Sequence, residues 1–420
     1  MKGALDERWF ERLRVATSLV DDLQWFKNYS KITKTERDLF VNNEIENPKF
    51  HLKKTKPNTE GEDEIDSLLA EMQKEEKEVV VLELYERKLH SHRLRSQLIT
   101  ASQTHNDEEF YRISSELYGK PKKRFFAYVA KRVTELALEH DKTHPAESKR
   151  LKKLFSKIDF KNIDISADIL PPSVKKSPEL ESVEQAVAIF KATLDRLQIS
   201  GWEVVVDDRE SRTRFSVNAY LKTVYIPGEA RLFGRPKKMT LVQLQALAEH
   251  EVGVHARRAH EGAQSALLLL QTGLDHYLPG EEGLAGYCQQ QIEGADEFYG
   301  FDRYLAASLA TGMDGVERDF RAVFSIMSDY YTLRYSTVPG KTSPLQAAWE
   351  VCVRTFRGTT GQSAGTIYTK DISYLEGNIN IWHLISDRPK VFESLFIGKY
   401  NPLIERHVRS LQTLEILKEW

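Results

Sequence analysis

Two histidines five positions apart sit at the centre of LQALAEHEVGVHARRAHEG, residues 244–262. They enclose His250-Glu251-Val252-Gly253-Val254-His255. Upstream, Leu241, Leu244, Leu247 and Ala248 recur at helical spacing behind Thr240, a plausible N-cap, so the stretch reads as a buried helix. Buried imidazoles and carboxylates need partners. Residues four apart on an α-helix lie about 40° apart in azimuth, and residues five apart about 140°. The two rings can therefore meet at one point only if a turn is widened by one residue. A π-bulge does this and concentrates at functional sites, and Gly253 lowers the cost of the distortion. A widened turn is expected between Glu251 and His255; the alternative is a regular helix carrying two ordinary polar positions.

The chain has 420 residues, 41% of them hydrophobic, enough for one large or two ordinary domains. A formal net charge of -2 gives no overall attraction to nucleic acid or to an anionic membrane. Cys288 and Cys352 are the only cysteines, so no disulfide framework is expected and a reducing compartment fits. The N-terminus, MKGALDERWFERLRVA, alternates charge and lacks the apolar core of a signal peptide. The longest apolar run, ALLLL at residues 266–270, is too short to span a bilayer. These features predict a soluble cytoplasmic protein without nucleic-acid or membrane partners, and say nothing of its oligomeric state.

Periodicity divides the chain. Residues 1–172 read as a helical N-terminal region and residues 173–420 as a second, catalytic domain. DEIDSLLAEMQKEEKEVVVLELYERKLHSHRLRSQLITA is rich in helix formers, KKTKPNTEGEDE (residues 53–64) before it reads as an exposed loop, and residues 122–140 form a second helical run. Residues 120–157 carry 12 Lys or Arg against 4 Asp or Glu, either a solvated helical face or a docking surface for an acidic partner. LPPSVKKSP (residues 170–178) is a linker or long turn. SVEQAVAIFKATLDRLQI returns to helical spacing. WEVVVDD and RFSVNAYLKTVYIP are then β-branched and aromatic, which predicts two or three antiparallel strands, with an edge on which a peptide could add.

Zinc takes about four ligands, commonly histidine nitrogen and carboxylate oxygen. A third protein ligand is sought downstream, in GLDHYLPGEEGLAGYCQQQIEG. Glu281 and Glu282 lie between a Pro279-Gly280 turn and a new helical run, where either carboxylate could face the previous helix or simply favour the helix dipole. Asp275 and His276 are weaker candidates for an outer role.

Taken together, H-E-x-G-x-H and E-E-G-L-A about thirty residues later resemble the metallopeptidase family named for its Q-E-G-L-A motif, whose animal members are microtubule-associated tyrosine carboxypeptidases. The resemblance covers roughly residues 202–385, including KTVYIP, LPGEEGLA and the distal block VRTFRGTTGQSAGTIYTKDISYLEGN, and extends weakly upstream through NPKF and LYGKP. Glu281 stands where the family has Gln, and His260-Glu261-Gly262 where Asn-Gly is more usual. The resemblance implies an α+β, predominantly helical fold: a gluzincin-like zinc peptidase core with a small antiparallel sheet and an N-terminal helical domain. It implies one Zn2+ per chain on His250, His255 and Glu282, with Glu251 as general base and Arg258 structural. The dipeptidyl peptidases with an H-E-x-x-G-H motif are similar in tolerating the extra residue.

A carboxypeptidase also needs a cation for the substrate's terminal carboxylate and a donor for the oxyanion. Arg354, Arg357, Lys370 and Tyr368 are the expected substrate-binding residues and Tyr374 a catalytic one; each could instead be structural. The function expected is a zinc-dependent metallocarboxypeptidase removing a C-terminal tyrosine or other aromatic residue from a protein or peptide tail, an acidic tail if residues 120–157 dock it. The rivals are an aminopeptidase or endopeptidase on the same site, and a non-catalytic binding protein that keeps the fold. Glu251 argues against the last, because binding zinc does not require it.

Overall fold

The computed structural model describes residues 4–18, 34–48, 50, 59–161, 163–174, 176–209, 214–234, 238–336, 343–418 and 420. Among the described residues the first elements are helices: α1 (Glu7–Ser18), α2 (Lys34–Val41), α3 (Thr59–Glu75), α4 (Val79–Gln103), α5 (Asp107–Tyr118), α6 (Lys123–Glu139) and α7 (Pro145–Leu154). The single long helical pattern expected over residues 63–101 is thus two helices, α3 and α4. The loop expected at residues 53–64 already belongs to α3 from Thr59 onward, and residues 53–58 lie outside the described residues.

The segment read as a linker is extended and runs as a strap over later elements. Val174 donates its N–H to Glu293 O at 2.8 Å, Ala295 to Pro171 O at 2.9 Å, and Leu241 to Pro178 O at 2.8 Å. Helix α8 (Val183–Arg196) then opens on Ser182, whose hydroxyl accepts from the Gln185 N–H.

Three strands follow, β1 (Glu203–Asp207), β2 (Ser216–Asn218) and β3 (Thr223–Pro227). The sheet is mixed, not antiparallel as expected. β2 and β3 form an antiparallel hairpin, closed where the Asn218 side chain accepts from the N–H groups of Tyr220 and Leu221, both at 3.0 Å. β1 takes the other edge of β3 and runs parallel to it, giving the order β1-β3-β2. Strand patterning carries no direction and so cannot reveal this parallel pairing.

After the short helix α9 (Glu229–Phe233) comes α10 (Leu241–Ala248), started by a reciprocal cap between Thr240 and Gln243. It runs without a break into a π-helical segment, Glu249–Ala256, and then α11 (Arg257–Gln264). The widened turn expected from the histidine spacing is therefore present. The remaining helices are α12 (Leu269–Thr272), α13 (Leu278–Glu293), α14 (Phe301–Ala310), α15 (Phe320–Tyr335), α16 (Pro344–Phe356), α17 (Ile372–Asp387) and α18 (Glu405–Thr413).

Two faces hold the π-helical segment in place. Leu244, Ala248, Val252 and Ala256 share a core with Phe190 of α8 and with Val224 and Ile226 of β3. Val254 points the other way, into a core with Leu284 and Ala285 of α13 and Ile381 of α17. The largest core joins residues from both sides of the strap, such as Phe40, Phe125 and Val129 with Tyr304, Phe320 and Trp382.

Several of the basic residues in 120–157 are committed within the fold. Arg124 pairs with Asp164 at 2.9 Å, Arg132 with Glu297 at 2.9 Å, Arg150 with Asp329 at 2.7 Å, Lys152 with Asp141 at 2.7 Å, and Lys122 with Glu376. Four of these acids, Asp164, Glu297, Asp329 and Glu376, come from outside residues 120–157 and offset about half of that charge excess. No described helix is long and apolar enough to cross a membrane.

Helices α13 and α17 cross at two glycines. A Cβ on Gly283 would lie 2.4 Å from the Gly377 carbonyl carbon, and one on Gly377 would lie 2.1 Å from Pro279 O. Both clashes are with backbone, which cannot rotate aside. Gly377→Ala is therefore expected to destabilise the protein by about 1–3 kcal/mol, read as a lowered Tm in thermal melts. An unchanged Tm would show that the two helices can part without cost.

Candidate metal centre

His250 and His255 face the same point because the helix widens between them. In π geometry each N–H reaches back five residues, so the residue five positions on returns over the first. Their ring centroids are 5.0 Å apart at 76°. At Gly253 a Cβ would stand 2.5 Å from the Glu249 carboxylate, so the absent side chain leaves room for Glu249 to fold over the segment toward Arg196.

Glu282, in the first turns of α13, completes the group. Its Oε2 lies 3.9 Å from His250 Nε2 and 4.0 Å from His255 Nε2, and one ligand atom from each residue lies within 4.8 Å of the others. Bonds of about 2.1 Å to a tetrahedral ion would set these atoms about 3.5 Å apart, a contraction of a few tenths of an ångström. Two nitrogens and one carboxylate oxygen, with room for a further ligand, fit a zinc-like divalent cation. Burial, then the neighbouring His255, lowers the His250 pKa to about 3, which keeps its ring neutral and its lone pair free.

Glu281 turns away from this point and holds His255 from behind. Its Oε1 sits 2.9 Å from His255 Nδ1, and its Oε2 accepts from Arg258 Nη1 at 2.7 Å. Lys399 Nζ lies 3.0 Å from Oε1. Arg258 is anchored by the carbonyls of Gly398 and Tyr400 at 2.8 and 2.6 Å. Burial pushes the Glu281 carboxyl up, but Lys399 and Arg258 outweigh it and hold the group well below the usual range. An ionised carboxylate on Nδ1–H fixes the tautomer and aims Nε2 at the cation point. Sequence reasoning offered Glu281 only as an alternative ligand; its place beside Glu282 was the one signal of this orienting role.

No hydrogen bond or ion pair holds Glu251 among the described residues. Burial, with Glu282 adding to it, raises its carboxyl to about 7, against the pull of His255 and Lys399.

The far wall of the cleft is aromatic and cationic. Tyr299 stands 5.6 Å from His250 and 5.6 Å from Tyr374, ring to ring. Tyr374 Oη accepts from Arg354 Nη2 at 3.2 Å, and burial raises its phenol pKa well above the ordinary value. Arg354 and Arg357 share Asp371, with Arg354 Nη2 and Arg357 Nη2 both 3.0 Å from Oδ1. Arg357 also covers the ring of Tyr368 at 4.8 Å. Tyr368 itself is buried against Phe110 and Tyr118 rather than beside the triad. Lys370 lines a cavity of about 110 Å³ with Lys88, Arg95, His276 and Tyr277. Asp275 pairs with His407 at 3.1 Å and with Arg406. Of the sequence-predicted residues, the structure brings together His250, His255, Glu282, Glu251, Tyr374 and Arg354, and leaves Tyr368 and Arg357 in a neighbouring layer. Tyr299, Asp371 and Lys399 carry no motif that singles them out.

Removing the Glu281 carboxylate would leave Arg258 and Lys399 buried without their counter-charge. Glu281→Ala is expected to cost about 3–5 kcal/mol of stability and to weaken zinc binding by about 10- to 100-fold, measured by denaturant unfolding and by competition with a chelator. Glu281→Gln keeps an acceptor for His255 and should lose less of both. Equal losses in the two variants would refute an orienting role that depends on the acceptor.

No curated protein sequence matches this chain. The family described as Microtubule-associated tyrosine carboxypeptidase matches residues 37–419. That match extends well beyond the stretch on which the sequence motifs lie and takes in the helices from α2 onward. With nearly the whole chain matched, the protein belongs to the microtubule-associated tyrosine carboxypeptidase family, a family of peptidases.

Proposed function

We infer that this protein is a zinc-dependent carboxypeptidase that removes a C-terminal tyrosine from a protein tail. One observation carries the reading: His250 Nε2, His255 Nε2 and a Glu282 oxygen converge beside a carboxylate, Glu251, that nothing else engages. A binding protein that only kept the fold would have no use for that buried, unpaired group. The π-helical segment, the small sheet and α13 together read as a gluzincin-like core, with β2 as the edge on which a peptide backbone would lie.

Zinc bound by the triad would polarise the scissile carbonyl and lower the pKa of a water. Glu251 accepts the proton of the attacking water and returns it to the leaving amine. Glu281 keeps His255 in the tautomer that leaves Nε2 free. Tyr374, whose phenol stays protonated and whose oxygen is fixed by Arg354, is placed to donate to the developing oxyanion. Tyr299 and Tyr374 exclude water from that side.

Wild-type protein is expected to hold about one zinc per chain by elemental analysis. His255→Ala and Glu282→Ala should lose the metal. Glu251→Gln should keep it while kcat on a tyrosine-ended peptide falls by a factor of about 100 or more. A Glu251→Gln variant with full activity would remove Glu251 from the chemistry, and zinc retained in both ligand variants would remove the triad.

A further inference from the structure

A carboxypeptidase must recognise the end of a chain, and the two arginines that the sequence nominates for this already carry a counter-charge, although Arg357 Nε has no hydrogen-bond partner among the described residues. Arg354 and Arg357 share the single carboxylate of Asp371. Arg303 is different. It lies in the first turn of α14, directly after Tyr299 and Gly300. Gly300 has φ +88°, and a Cβ there would fall 2.4 Å from the Tyr374 Cβ, so only glycine lets the start of α14 come this close to α17. This approach lays the Arg303 guanidinium over the ring of Tyr374 at 4.4 Å and beside Tyr299 at 5.6 Å.

Among the described residues no carboxylate lies within ion-pair distance of Arg303, and its Nη1 is buried without a hydrogen-bond partner. Leaving a guanidinium nitrogen in that state is costly, unless a ligand completes it. Stacking on an aromatic face uses the face of the guanidinium and leaves its in-plane N–H donors free for a planar bidentate acceptor. The carboxylate of Asp371 nearby is already shared by Arg354 and Arg357. Arg214, just ahead of β2, is exposed overall, yet loss of water around its guanidinium and then the like charges of Arg354 and Arg303 lower its pKa.

We propose that Arg303 is the anchor for the free α-carboxylate of the substrate, and so makes the enzyme cut at a chain end. This rests on the carboxypeptidase reading above. Arg303 reaches the metal-centre residues through two rings: it lies over Tyr374, and Tyr299 packs against both Tyr374 and His250. An internal peptide segment or an amidated terminus offers Arg303 no charge and leaves its buried donor unpaired.

The test is binding, which needs no turnover. The full-length Glu251→Gln protein, supplied with zinc, is titrated with a short N-acetylated peptide ending in tyrosine, as the free acid and as the C-terminal amide. The parent is expected to prefer the free acid by about tenfold or more, and adding Arg303→Ala should bring the two Kd values within about twofold. Arg303→Lys, which keeps the charge and the stem but not the fork, should fall between. It also guards against a folding defect in the alanine variant, and both are checked by circular dichroism melts.

A free-acid preference that survives in Arg303→Ala would overturn the assignment and leave the carboxypeptidase reading intact. No preference in the parent, or no binding of the free acid, would overturn the assignment as well. Turnover by wild-type protein decides the carboxypeptidase reading separately: if the Arg303-dependent preference holds but no terminal residue is released, the anchor stands and the reaction fails.

Discussion

The buried carboxylate of Glu281 is the interaction around which this protein is organised. It joins His255 of the π-helical segment, Arg258 of α11 and Lys399 near the C-terminus. Arg258 in turn ties the carbonyls of Gly398 and Tyr400 to the same point. Two distant stretches of chain, residues 255–258 and 398–400, are thereby locked to the start of α13. A buried charge network of this kind is stable only when every member is present, so the orientation of one imidazole is coupled to the integrity of the fold. Glu282, the next residue, can then point into the cleft because its neighbour has been drawn the other way.

A second constraint is steric. The Gly283–Gly377 crossing lets α13 and α17 touch at backbone distance, and Gly300 does the same for α14 against α17. Together they bring Tyr299, Arg303 and Tyr374 to the far wall of the cleft, opposite the histidines. Two imidazoles and a carboxylate thus lie beside an aromatic, cationic wall. That polarity suits a substrate that presents a carbonyl on one side and a negative charge on the other. The wall is rigid because Tyr299 is fixed through its own N–H to Asn378 Oδ1 at 2.9 Å, and Asn378 reaches Gly283 O at 3.3 Å.

Much of the metal centre was legible from local chemistry. A helix buried on two faces cannot tolerate His250, Glu251 and His255 unless they meet a partner, and the five-residue spacing with Gly253 inside it implied the widened turn. Thr240 and Gln243 marked the start of that helix. Other features were legible only in part. Val204–Val206 and Val224–Ile226 identified strands by composition, but composition carries no direction, and the expected antiparallel sheet is in fact mixed. Basic residues at positions 124, 132, 150 and 152 suggested a docking face because their acidic partners, such as Asp164, Glu297 and Asp329, lie far away in sequence or outside the segment.

What the sequence by itself determined is the set of groups that cannot stand alone: two imidazoles and two carboxylates on apolar helices, at spacings that admit one convergent arrangement. Helical periodicity, caps and turns are short-range effects, so they are written in neighbouring residues. Only the tertiary structure decided which carboxylate turns inward and which outward, because Arg258 and Lys399 reach Glu281 from 23 and 118 residues away. It likewise decided that Arg354 and Arg357 share the carboxylate of Asp371 while Arg303 is left without an ion-pair partner among the described residues. Charge pairing across a packed interface depends on distances that chain connectivity does not set, and for that reason no local pattern could have distinguished one arginine from another.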